Sequence, residues 1–238
     1  MKLIIDIGNS AVKVALFEDK WLLRTAELTS CSINNITNFL SQEIVFKTIL
    51  SSVKNIDKQT LEVITHYKAI VLDEKTPLPI KINYETPDTL GKDRIAGVVA
   101  ASCLYKDKNV LVLDFGSCLT IDVINKEKEY IGGRISPGLI MRYNALHQFT
   151  DQLPLCKIKN TESFIGNDTT SSINSGVQQG MVAEVKEVID TFKKENKDTI
   201  VILTGGDCFF FEKALKNSIF ANPFLVMEGL NEILDYNE

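Results

Sequence analysis

Asp6 ends the apolar run Leu3–Ile5 and is followed at once by a turn of Gly8, Asn9 and Ser10, with Lys13 close behind. A carboxylate at a strand end is held rigidly, and a glycine turn beside it exposes backbone N–H groups that can cradle an anion. Asn9 and Ser10 add side-chain donors, and Lys13 adds a cation. Such a loop suits a phosphate with an acid nearby for Mg²⁺, which takes carboxylate, water and phosphate oxygens. It is not a Walker A loop, because no G-x-x-x-x-G-K-[ST] occurs in the chain. The same order returns 108 residues later, where Asp114, Gly116 and Ser117 correspond to Asp6, Gly8 and Asn9. One Asp-x-Gly alone is an ordinary turn. The matching order of elements around both copies favours two lobes of one design.

Two more groups of residues could do chemistry. In "YETPDTLGKDR", Tyr84, Gly91, Lys92, Asp93 and Arg94 offer a ring, backbone access, cations and a base within one short segment. That set is able to hold a small anionic alcohol, although an acid before a helical stretch is also a common N-cap. The "TGG" of Thr204–Gly206 follows an apolar strand and precedes a helix, so a flat ligand such as a nucleoside could pass close to its backbone. A Gly-Gly after a strand is equally a plain turn.

The elements that position these residues follow from periodicity. Strands are expected over 2–7, 11–17 and 21–28, then a helix over 33–42, a strand over 45–53, a helix over 57–66 and a strand over 69–73. A polar loop with Pro77, Pro79 and Pro87 leads to a helix over 93–103, with Ile95, Val98, Val99 and Ser102 on one apolar face. The strand, turn and strand of 109–124 come next, and a third strand covers 130–135. Helices are expected over 137–149 and 173–195, a strand over 199–206, and final helices over 209–217 and 227–236. The segment "PGLIMRYNALHQF" reads as a core helix, with a contact surface as the alternative.

Composition narrows the class. The chain has 238 residues, 45% of them hydrophobic and 24% charged, which fits one large domain or two lobes of roughly 100 to 130 residues each. Its net charge is −5 and no basic stripe is present, which argues against a nucleic-acid partner. The five cysteines are scattered, without a C-x-x-C pair, as expected for reduced thiols rather than disulfides or zinc. Only two histidines, His66 and His147, are available for metal or base chemistry. No apolar run is long enough for a membrane span, and "MKLIID" lacks the pattern of a signal peptide. A cytoplasmic protein is expected.

Taken in order, "DIGNS", "GKDR", "DFGSCLTID", "GGRISPG" and "ILTGGD" resemble a type III pantothenate kinase across essentially the whole chain. The resemblance implies an α/β fold of two ribonuclease H-like lobes, that of the actin, sugar-kinase and heat-shock chaperone superfamily, with the active site in the interlobe cleft. The lobes would be residues 1–108 and 109–238. It implies ATP-dependent phosphorylation of the primary hydroxyl of pantothenate, the first step of coenzyme A biosynthesis, by a homodimer. By position, Asp6, Ile7, Gly8, Asn9, Ser10, Ala11, Val12 and Lys13 match the first phosphate loop, with Asp6 near Mg²⁺. Asp114 would ligate a monovalent cation, K⁺ or NH₄⁺, and Ser117 would contact ATP. Asp93 matches the general base. Tyr84, Gly91, Lys92, Asp93, Arg94 and Thr169 match the pantothenate site, with Thr170 as the adjacent alternative to Thr169. The acids at 6, 93 and 114 are expected to gather around one triphosphate.

The chain departs from the usual pattern at Ser10 and Ser117, where threonine is common, and at Cys118 beside the cation site. Serine keeps the hydroxyl but loses the methyl that restricts its rotamer. Cys118 reads as a small apolar residue. The rivals are a kinase for another small alcohol, a polyphosphate hydrolase, or a catalytically silent nucleotide-binding transcriptional accessory protein.

Overall fold

In the computed structural model, which describes residues 1–159, 163–215 and 219–237, the chain begins with β1 (Lys2–Ile7), β2 (Val12–Glu18) and β3 (Trp21–Leu28). They are followed by α1 (Ile33–Leu40), β4 (Lys47–Ser52), α2 (Lys58–Tyr67) and β5 (Ile70–Val71). These strands form a sheet in the order β3-β2-β1-β4-β5, with β1 antiparallel to β2 and parallel to β4.

Successive side chains of a strand point to opposite faces. On one face Leu3, Ile5 and Ile7 join Val12, Val14, Leu16 and Leu50 in a core closed by Ile36 and Leu40 of α1 and Val63 of α2. Both helices start on side-chain caps, Ser32 accepting from the Asn35 N–H and Asp57 from the Thr60 N–H. On the other face, Lys2 pairs with Asp235 of α7 (Leu225–Tyr236), and Asp6 looks toward the start of α3 (Lys92–Leu104).

The expectation of one apolar face on α3 needs correction, since every residue from Arg94 to Ser102 is buried. The small residues Ala96, Gly97, Ala100 and Ala101 allow this, because α7 can approach the α3 backbone closely. Gly229 of α7 lies so near that a Cβ there would overlap the carbonyl oxygen of Ala96.

Beyond α3 come β7 (Val110–Phe115), β8 (Cys118–Ile124), β9 (Glu129–Pro137), α4 (Leu139–Gln148), α5 (Thr169–Glu195), β10 (Ile200–Thr204), α6 (Cys208–Leu215) and β11 (Phe220–Ala221). The second sheet has the order β11-β10-β7-β8-β9-β6, where β6 (Lys81–Ile82) runs parallel to the start of β9. Phe115 of β7 stacks on Phe211 of α6 at 4.1 Å between centroids. Tyr143 of α4 donates to Asn174 Oδ1 of α5 at 2.7 Å and accepts from Gln178 Nε2 at 2.9 Å, so a buried polar triad joins the two helices.

The elements follow the sequence reading closely, with differences at ends and in short pieces. α5 begins at Thr169 rather than 173, because Asp168 and Ser171 form a capping box. β6, β11 and a 3-10 turn at Pro87–Thr89 span two or three residues each, too few for a period to register. Of the helix expected over 209–217, the last two positions lie outside the described residues.

Two compact units result, neither of them a single stretch of chain. One is Met1–Val110, Val123–Gly132 and Phe224–Glu238; the other is Leu111–Asp122 and Gly133–Pro223. The first unit thus takes the β8–β9 turn and α7 from the second half of the sequence.

The tight α3–α7 contact carries a prediction. Gly229→Ala must push the helices apart and should destabilise the protein by about 1–3 kcal/mol, the usual cost of overpacking. The shift in urea midpoint measures it, and an unchanged midpoint would show that the contact yields freely.

Candidate active site

Asp6 sits directly across from Lys13 on β2 and from Ser51 on β4. The three therefore share the sheet face opposite the α1–α2 core. Asp6 is only 9% exposed, and its Oδ1 has no hydrogen-bond partner among the described residues. Burial first and the Asp93 carboxylate second raise its pKa, the nearby Ser51 hydroxyl and Lys13 ammonium only partly offset them, and the net result is about 6. The turn after it is closed by the Gly8 N–H donating to Ala11 O at 3.0 Å, and it leaves Asn9 and Ser10 exposed. Ile7 and Val12 point into the hydrophobic core, so they can serve a ligand only through their backbone.

Asp93 is not the N-cap of α3. Gly91 holds that position, and Asp93 stands in the first turn, where the positive end of the helix dipole favours an anion. One carboxylate oxygen, Oδ1, accepts from the Arg94 N–H at 2.8 Å. A Cβ at Gly91 would lie 2.6 Å from that oxygen, so a side chain there would displace the carboxylate from its present place.

Arg94 is buried, and its Nη2 donates to the Tyr130 hydroxyl at 2.9 Å. Tyr130 in turn meets Tyr84 edge to face, with centroids 5.7 Å apart. The first unit thus brings together Asp6, Lys13, Ser51 and Asp93, and beside Asp93 the chain Arg94, Tyr130, Tyr84. Lys92 is half-buried at the head of α3.

In the second unit Asp114 lies near the end of β7 between two glycines. A Cβ at Gly116 would be 3.4 Å from Asp114 Oδ1, and one at Gly205 would overlap that oxygen and the Phe115 backbone. Gly205 also has φ +86°, a conformation that side chains disfavour. The Asp207 N–H donates to Phe115 O at 3.2 Å, and the Gly138 N–H donates to Ser117 O at 3.2 Å. The "DFGS", "PG" and "TGG" stretches therefore meet backbone to backbone around Asp114 and Ser117. Thr169 and Thr170 are exposed at the first turn of α5.

No cluster of three or more metal-binding side chains occurs among the described residues. A buried carboxylate with an unpartnered oxygen fits Mg²⁺, which binds through one or two carboxylates plus phosphates and waters. Around Asp114 the backbone itself packs close to the carboxylate, at Gly205 above all. Sequence reasoning missed Ser51 and Tyr130. A hint of the first was the paired serine ending an apolar strand, and of the second a tyrosine opening a strand, since a buried phenol needs a partner.

Comparison with known proteins adds to this geometry. The model of the type III pantothenate kinase family matches residues 2–191. A type III pantothenate kinase of Bacteroides fragilis is 41% identical over 239 residues, covering 100% of this chain and 98% of the relative. Among solved structures, one from Campylobacter jejuni named as a Baf family transcriptional activator aligns with a TM-score of 0.64 at 24% identity, covering 99% of this chain and 98% of the other. One from Sinorhizobium meliloti named as a 2-dehydro-3-deoxygalactonokinase aligns with a TM-score of 0.63 at 9% identity, covering 98% of each chain. The last two show that the fold is shared, that of a two-sheet α/β protein.

The buried Asp6 makes stability depend on pH. Its folded pKa lies above the unfolded one, so the folded chain binds the proton more tightly, and stability falls as pH rises from roughly 4 to 6. Asp6→Asn should therefore be more stable than the parent at pH 8 by up to about 2–3 kcal/mol, and the gain should vanish near pH 4. Urea unfolding of both proteins at the two pH values tests this, and a gain independent of pH would contradict it.

Proposed function

Because the chain belongs to the type III pantothenate kinase family, we propose that it transfers the γ-phosphoryl group of ATP to the primary hydroxyl of pantothenate, giving 4'-phosphopantothenate in the first step of coenzyme A biosynthesis. The observation that carries this assignment of roles is the pairing of a buried Asp6 with Asp93 at the head of α3. Phosphoryl transfer requires in-line positioning, spreading of charge and a base at the attacking hydroxyl.

Asp93 takes the hydroxyl proton on the carboxylate oxygen that does not accept from Arg94 N–H. Gly91 keeps that carboxylate uncrowded. Tyr84, Gly91, Lys92 and Arg94 frame pantothenate, with Arg94 and Lys92 facing its carboxylate, and Thr169 adds a hydroxyl. The backbone from Asp6 to Val12, with the Asn9 and Ser10 side chains and the Lys13 ammonium, holds the ATP phosphates. Ser117 contacts ATP as well. Asp6 would hold Mg²⁺, which when bound neutralises phosphate charge, and Asp114 would hold K⁺ or NH₄⁺. The proposal includes a cytoplasmic homodimer and a duplicated design divided at 108/109. No described helix is long and apolar enough to cross a membrane.

Mass spectrometry of a mixture of the protein, ATP, Mg²⁺, K⁺ and pantothenate should show the phosphorylated product, whereas sugars in place of pantothenate should not react. In the same assay Asp93→Asn should lower kcat by at least roughly 100-fold while circular dichroism stays native. Near-full turnover would remove Asp93 from the role of base. Replacement of K⁺ by Na⁺ should sharply reduce the rate, and an indifferent rate would count against a cation at Asp114.

A further inference from the structure

Tyr130 joins two segments that are separate in sequence. Its ring is fully buried, its hydroxyl accepts from Arg94 Nη2 at 2.9 Å, and its carbonyl accepts from the Asn83 N–H at 2.9 Å. In the β6–β9 ladder it lies opposite Ile82, and its ring carries the Tyr84 ring edge to face at 5.7 Å. One residue of β9 therefore fixes both the first turn of α3 and the loop of Tyr84.

We propose that Tyr130 is a positioning residue for the acceptor site: it orients the Arg94 guanidinium and the Tyr84 ring, and so sets the affinity for pantothenate without touching it. This inference rests on the reading of Arg94 and Tyr84 as parts of the pantothenate site. A buried guanidinium must have partners in fixed directions, and its planar fork is selective only when its orientation is fixed. With the Tyr130 oxygen removed, Arg94 keeps its charge and its place in α3 but loses a constraint on where its donors point. The Asp93 carboxylate is held by a backbone donor, the Arg94 N–H, which loss of the Tyr130 oxygen does not remove. Substrate binding should therefore weaken while the chemical step is spared.

Tyr130→Phe removes that oxygen and keeps the ring against Tyr84. Steady-state kinetics should show KM for pantothenate raised by about 5- to 20-fold, the usual range for loss of one partner of a buried charged group. KM for ATP and kcat should stay within about twofold. A merely structural role moves other quantities: it lowers the melting temperature and the active fraction. KM does not depend on the concentration of active enzyme, so partial misfolding of the variant leaves the test intact. In an Arg94→Lys background, Tyr130→Phe should add little, since the two changes act on one contact. An unmoved KM for pantothenate, or an equal rise in KM for ATP, overturns the inference. If the parent enzyme fails to phosphorylate pantothenate, the function reading itself falls, and an active parent with an unaffected Tyr130→Phe sinks only the role of Tyr130.

Discussion

The site is organised around an electrostatic conflict, the burial of the Asp6 carboxylate close to that of Asp93. Desolvation and like charge both oppose ionisation of Asp6, and the nearby Ser51 hydroxyl and Lys13 ammonium compensate only in part. A fold retains such an arrangement when the rest of the sheet outweighs it. Here the opposite face of the same strands packs Leu3, Ile5 and Ile7 into an apolar core. The strand is thus anchored by the side chains of one face and carries on the other a carboxylate whose ionisation is opposed.

Close backbone approach is the second constraint, and it falls on glycines for reasons that differ from site to site. Gly229 lets α7 lie on α3, which seats the helix whose first turn carries Asp93. Gly91 leaves room for the Asp93 carboxylate itself. Gly205 does the same for Asp114 and also needs a left-handed φ. A helix packing requirement and two carboxylate requirements are therefore met by the same residue type, and only one of the three involves special backbone dihedrals.

These distinctions set what could be read from the sequence. Strand and helix periods are local properties, so nearly every long element is legible, and the repeated Asp-x-Gly announces both acidic loops. The burial of α3 on every side is not legible, because it depends on α7, which lies more than a hundred residues away in the chain. The two- and three-residue elements carry no period. Ser51 reaches Asp6 through parallel strand register, and Tyr130 of β9 reaches Arg94 of α3 by a side-chain hydrogen bond. Both are contacts of tertiary structure, and the local hints at Ser51 and Tyr130 do not say which partner each one meets. Asp93 stood between two readings, an ordinary cap or a functional acid, and Gly91 in the cap position decides against the first.

The two acidic loops show how one local design can be set in two different surroundings. Asp6 and Asp114 occupy equivalent places after apolar strands, each followed by a glycine. Their surroundings differ at the equivalent positions: Asp6 faces Lys13, while the residue 108 positions on from Lys13 is the buried Ile121. The first carboxylate is flanked by an ammonium, a hydroxyl and a second acid. The second is bordered by Gly116, Gly205 and the Phe115 backbone. Charge on the neighbouring strand in one loop, and close backbone in the other, gives the two carboxylates different surroundings without altering the strand and turn that present them.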